Sequence, residues 1–299
     1  MGKASRIKQQ SAREKIAAQR AAAQRAQRRN RFLIIGGSVL AVIAIIGVLV
    51  GIKLAGGPSS GSAAATSQLH GSQLTSVMNQ VTGVPPSTLA AVGRGTTFQK
   101  VLVPVTGAPP LTANGKPEML YVGAEYCPFC ATERWAMAVA LSRFGTFRGV
   151  GAIHSDPNDT PPSIPTLTFY KSSYTSKYLT FTPVETQTVN RKPLQNTTPQ
   201  QQALVSKYDA PPYSSTAGSI PFVSFGNKYV LSGASYSYTV LQGKTWSQIA
   251  NALHNPGDPI SQGVIGTANK MTAAICKMTN NQPSNVCGSP LITSLQGQL

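Results

Sequence analysis

The chain has 299 residues, 41% of them hydrophobic, and a formal net charge of +17. That length and apolar content exclude a chain too poor in apolar residues to build a core, and leave room for one large domain or two small ones. The charge is concentrated rather than spread: residues 1–31 hold ten of the 26 basic residues against one acid, Glu14, so the remainder is only mildly basic and no nucleic-acid partner is called for.

Residues 1–31 are rich in Ala, Gln and Arg and cannot form a core of their own. Phe32–Ile52 then runs for 21 residues without a charge, the length at which a helix crosses a bilayer. We expect a transmembrane signal anchor over 32–54. The basic arm would stay in the cytoplasm by the positive-inside rule, drawn to anionic headgroups. A cleaved signal peptide is the rival reading, since Ser62-Ala-Ala-Ala65 offers small residues, but a secretory apolar segment is typically only about 7–15 residues long. Either way the remainder is exported, to where disulfides persist, and with the anchor kept the protein is single-pass in the cell membrane with its main domain outside the cytoplasm. Residues 55–67, rich in Gly, Ser and Ala, read as a flexible tether, and 68–299 as the extracytoplasmic domain.

Within that domain, Gln68–Gln80 and Pro86–Val92 carry helical spacing, and Thr97–Val105 reads as a strand. A Pro-Pro and Asn-Gly loop leads to Met119–Val122, an apolar run too short to be anything but a buried strand. After a tight turn, Trp135, Val139 and Ala140 recur at helical spacing, so Cys127-Pro-Phe-Cys130 sits where a helix begins. Unpaired N–H groups and the helix dipole stabilise a thiolate there, which makes Cys127 a nucleophile and leaves Cys130, one turn on, to resolve a mixed disulfide. The same spacing serves half a zinc site. No second pair completes one, because Cys276 and Cys287 lie far along the chain and no His-x-x-x-His occurs. A third reading, a metal or haem-assembly chaperone, would use the same two thiolates; no resident metal or cofactor is assigned. Glu125, in the turn, reads as a solvated charge. There is no phosphate-binding loop and no hydrolytic constellation.

Phe147–Ile153 reads as the next core strand, ending at His154, a loop or capping histidine. Thr166–Tyr170 and Tyr178–Thr182 alternate β-branched and aromatic residues and suggest a hairpin. Tyr170, Tyr174, Tyr178, Phe181 and Tyr208 make this region aromatic, as the core of a subdomain or as a groove for a peptide. Pro199–Tyr208 reads as a helix, and Thr245 as the N-cap of another that puts Trp246, Ile249, Ala250 and Leu253 on one face. Gly263–Lys277 is a further helix. In an exported protein Cys276 and Cys287 are expected to form a structural disulfide.

Cys127-Pro-Phe-Cys130 after a buried strand resembles the active site of the thioredoxin superfamily, closest to its Cys-Pro-aromatic-Cys members. Ser219-Ile-Pro-Phe-Val-Ser-Phe-Gly-Asn-Lys-Tyr-Val-Leu231 resembles the superfamily's cis-proline loop and hairpin. Tyr126–Trp135 and Phe144-Gly-Thr-Phe147 are also similar to an uncharacterised prokaryotic family of membrane-anchored thioredoxin-like proteins with no assigned substrate. The resemblance implies an α/β fold: a thioredoxin-like mixed sheet, an inserted β-rich subdomain over about 156–218 and a helical extension over about 256–299. Pro221 would be a cis-proline facing the cysteines and Ile220 would pair with substrate backbone, with Pro128 and Phe129 setting the motif's stiffness and apolarity. The implied activity is thiol–disulfide exchange on exported proteins, with an unknown redox partner. One departure stands out: many members hold a buried acid six residues before the first cysteine, and here that residue is Tyr121. From a different class, a non-catalytic module presenting the aromatic insertion to a protein partner is the alternative.

Overall fold

Two short helices open the described part of the chain, which comprises residues 68–98 and 101–299 of a computed structural model. The expected arm (1–31), anchor (32–54) and tether (55–67) lie outside it. Among the described residues, no helix is long and apolar enough to cross a membrane.

Gly71–Thr82 (α1) and Pro86–Val92 (α2) precede three strands, Val103–Pro104 (β1), Thr112–Ala113 (β2) and Lys116–Gly123 (β3). Asn114 and Gly115 close the β2–β3 turn at φ of 52° and 71°, a left-handed pair that Asn and Gly tolerate and other residues resist. Then come Pro128–Ser142 (α3), Gly145–Arg148 (β4), Gly151–His154 (β5), Pro165–Thr168 (β6), Ser173–Ser176 (β7) and Thr180–Glu185 (β8). Pro199–Tyr208 (α4), Phe222–Phe225 (β9) and Tyr229–Ser232 (β10) follow, and the C-terminal part is helical: Trp246–Ala252 (α5), Pro259–Met278 (α6), Ser284–Cys287 (α7) and Pro290–Gln296 (α8).

The fold is mixed α/β, built on a mixed sheet in which β3 is central. β8 runs parallel to β3, from Glu118 opposite Thr180 to Gly123 opposite Glu185. On the other side β9 runs antiparallel, from Met119 opposite Phe225 to Val122 opposite Phe222, and β10 and then β1 extend the sheet antiparallel beyond it. A strand flanked on both sides and covered on both faces has no solvated face, which is why Met119–Val122 reads as a continuous apolar run. The pleat still divides it. Met119 and Tyr121 enter the main core with Trp135, Val139 and α6, whereas Leu120 and Val122 enter a smaller core with Phe222, Val230 and Tyr208 of α4.

Three sequence expectations change here. Phe147–Ile153 is not one core strand: Gly149, at φ 70°, breaks it into β4 and β5, which pair antiparallel with β7 and β6 and form two-stranded ribbons outside the central sheet. The span 156–218 is not all insertion, because its β8 is the parallel neighbour of β3. Of the strand expected over Thr97–Val105, the described residues hold β1 at the sheet's edge, and 99–100 lie outside the described residues.

Side-chain caps mark the starts of α3, α4, α5 and α6. Thr198 and Thr245 each form a reciprocal capping box, with Gln201 and Gln248, and Asp258 caps α6, which therefore begins at Pro259 rather than near Gly263. Val264, Ile265, Ala268 and Met271 of α6 belong to the main core. Gly266 lets that helix meet the chain closely, since a Cβ there would stand 2.5 Å from the Arg94 carbonyl oxygen.

Candidate active site at the head of α3

β3 ends at Gly123 and the chain turns through Ala124-Glu125-Tyr126 into α3, with Cys127 as N-cap. The Cys130 N–H donates to Cys127 Sγ at 3.2 Å, the role an oxygen plays in an ordinary N-cap. Both cysteines are free thiols, Cys127 3% exposed and Cys130 fully buried. The peptide bond between Ile220 and Pro221 is cis, and the Cys127 thiol donates to the Ile220 carbonyl oxygen at 3.6 Å, a long contact even for sulfur. Ile220 and Tyr126 pack on the Cys127–Cys130 pair. Phe129, next to them, projects to solvent at 40% exposure with its ring edge-on to Tyr238.

The two thiols titrate in opposite directions. The hydrogen bond from the Cys130 thiol, the largest effect, outweighs burial and holds Cys127 below the ordinary thiol value, helped by the Cys130 N–H and the charge of Arg134. Burial pushes Cys130 well up, and the Cys127 thiol beside it adds to the rise. The arrangement thus favours one thiolate, on Cys127.

Beneath the pair lies a cluster that the sequence reading did not identify. Arg134 is fully buried and forms a two-point ion pair with Glu185, Nε to Oε1 at 2.9 Å and Nη2 to Oε2 at 2.7 Å, while Nη2 also donates to the Ala124 carbonyl at 2.6 Å. Burial works to lower the pKa of Arg134, but Glu185, with Tyr121 and Cys130 adding to it, outweighs burial and holds the guanidinium charged. The Tyr121 hydroxyl lies 3.5 Å from Glu185 Oε2, and burial raises its pKa well above that of a free tyrosine. A carboxylate is therefore present below the cysteines, supplied by β8 rather than by position 121. Gly123 makes room for the Tyr121 ring: a Cβ there would lie 2.2 Å from the Tyr121 hydroxyl.

At the site, Glu125 departs from its sequence expectation. It is buried, not solvated, and accepts a 2.8 Å hydrogen bond from the Thr168 hydroxyl, with burial raising its pKa. His154 stands at the end of β5 with its ring 4.3 Å from that of Trp246. At the rim, Arg191 covers the Tyr126 ring at 4.0 Å and pairs with Asp156 at 2.9 Å and Asp159 at 2.6 Å. Much of the aromatic region packs inward, Phe147, Phe169 and Phe181 lying mutually within 6.0 Å. Cys276 and Cys287 are joined in a disulfide between the end of α6 and α7. Among the described residues, no cluster of His, Cys, Asp and Glu could hold a metal ion.

A family model described as a domain of unknown function, DUF929, matches residues 105–277, more than half of the chain and all of this site. The chain belongs to that family. No curated protein and no solved structure matches it.

Proposed function

We propose that this protein is a thiol–disulfide oxidoreductase of thioredoxin-like architecture, acting on exported proteins from the outer face of the membrane that carries it. The observation that supports this reading best is the Cys127 sulfur, seated at the head of α3 and turned toward a cis Ile220–Pro221 bond. Strand order supports it too: β10-β9-β3-β8, with β9 alone antiparallel to β3 and β8, is the order of a thioredoxin-like core.

The Cys127 thiolate attacks one sulfur of a substrate disulfide, forming a mixed disulfide and expelling the other sulfur as a thiolate. Cys130 then gives up its proton and attacks Cys127 Sγ, releasing the second substrate thiol and leaving a Cys127–Cys130 disulfide. Two electrons pass to the substrate, and a dithiol donor must return them. Run in reverse, the same steps oxidise a substrate dithiol. Ile220 and Pro221 hold the substrate chain against the sulfur, and Pro128 and Phe129 form an apolar lip. The near-complete cover over Cys127 favours one other reading, a binding module with an inert cysteine pair.

Exchange in the whole chain separates the two. With Cys130→Ser, covalent complexes that dissolve on reduction should accumulate through Cys127 and disappear in Cys127→Ser. If Cys130→Ser traps nothing and the Cys127–Cys130 pair resists dithiothreitol, the oxidoreductase reading fails.

A further inference from the structure

Arg143, at the opposite end of α3 from the cysteines, is a cation with no carboxylate partner among the described residues. Its side-chain hydrogen bonds among those residues both come from Nη1 and go to neutral oxygens, Asn269 Oδ1 at 3.4 Å and Thr272 Oγ1 at 3.2 Å. Burial pushes its pKa down to about 10, so the guanidinium is still charged at neutral pH. The residue is only half-buried, and the C-terminal end of the α3 dipole offsets part of the cost, but a partly desolvated charge is well placed to take an anion.

Two cavities meet beside it. One, of about 420 Å³, is lined by Arg143 together with Val84, Leu89, Val139, Val286 and Leu291. The other, of about 530 Å³, mixes the apolar Leu74, Met78, Phe147 and Val150 with the polar Thr75, Asn79 and Thr146, and Thr82 and Ser142 line both. Each has the size of an ordinary small-molecule site, about 300–1,000 Å³. A positive head position followed by a run of apolar side chains, Leu74, Met78, Phe147 and Val150, set among polar ones is complementary to an amphipathic anion. A carboxylate fits the single fork of one guanidinium and balances its one charge, whereas a phosphate monoester carries closer to two. An acyl chain, unlike a peptide, brings no amide groups to be left unpaired along Leu74, Met78, Phe147 and Val150.

We propose that these adjoining cavities bind a single-chain carboxylate, a fatty acid, with its head on Arg143 and its chain running past Thr82 and Ser142 toward Met78 and Phe147. This site is independent of the thiol chemistry.

The test uses the full chain held in an amphipathic polymer, with two photoactivatable probes of equal length: a fatty acid and the corresponding alcohol, each with its reactive group near the chain terminus. The acid should label peptides from α1 or from the β4–β5 segment. Arg143→Gln should cut that labelling about tenfold, the worth of one charged hydrogen-bonded pair, and Arg143→Lys should restore most of it. Should Arg143→Gln fail to fold, the two probes on the native chain still decide. Equal labelling by acid and alcohol, labelling that maps elsewhere, or none at all would overturn the proposal.

Discussion

Arg134 and Glu185, 51 residues apart in sequence, meet in a two-point ion pair that water does not reach. Each lies on an element that also touches the site, α3 with its cysteines and β8 beside the strand that leads to them. The pair therefore couples the electrostatics of the thiols to the sheet's register.

Glu185→Gln keeps the shape but removes the negative partner, so the unopposed Arg134 should lower the Cys127 titration midpoint. Arg134→Met leaves Glu185 buried without a counter-charge, so it should raise that midpoint and destabilise the fold by about 3–5 kcal/mol. Thiolate absorbance against pH, with urea unfolding of the same variants, reads both. Shifts of the same sign in the two variants would contradict this electrostatic account.

Cys127 depends on Cys130 for its low pKa, because the Cys130 thiol supplies the largest lowering. Cys130→Ala should raise the midpoint of Cys127 alkylation by a small reagent, toward the ordinary value of about 8.5. The pH profile of alkylation measures this directly. An unchanged midpoint would leave the helix end and Arg134 as sufficient causes.

Glu133 is buried with its Oε1 accepting from the Ser235 N–H and its Oε2 without a partner among the described residues, and burial raises its pKa to about 8. Its folded-state pKa thus exceeds its unfolded value, so the folded state holds the proton more tightly. The associated stability is full below about pH 4.5 and is lost as pH rises through about 8, each unit of separation being worth about 1.4 kcal/mol. Urea midpoints should fall over that window in the native protein and flatten in Glu133→Gln.

The Cys276–Cys287 bond closes a short loop, with a sequence separation of 11. Replacing both residues with Ser should cost about 3 kcal/mol by the loop-entropy model. Cys127 chemistry should be unchanged, because that bond belongs to the α6–α7 end of the molecule. Thermal unfolding and mixed-disulfide trapping on the same variant check the two halves of this statement.

Local chemistry was readable from the chain, while long-range pairing was not. The strand-turn-helix around Cys127, the capped helices after Thr198 and Thr245, and the Cys276–Cys287 pairing all depend on neighbours within a few turns. Glu185 escaped notice because nothing local marks it. The signal that could have found it lies in α3: residues 131–141 are apolar on every face apart from Thr132, Glu133 and Arg134, so the helix must be buried all round, and a buried Arg needs an acid from elsewhere. Glu125 misled for the complementary reason, since a turn position suggests solvent and only the distant Thr168 shows otherwise. β4 and β5 were joined because alternation marks which face a residue takes, not which strand it pairs with.

The double pairing of β3 also has a kinetic reading. Its amides are locked between β8 and β9, whereas β4 and β7 form only a two-stranded ribbon. In deuterium exchange the platform under the cysteines should release its protons only through global unfolding, while the ribbon opens by itself and exchanges sooner. The molecule can thus loosen along one flank without disturbing the spacing at the head of α3.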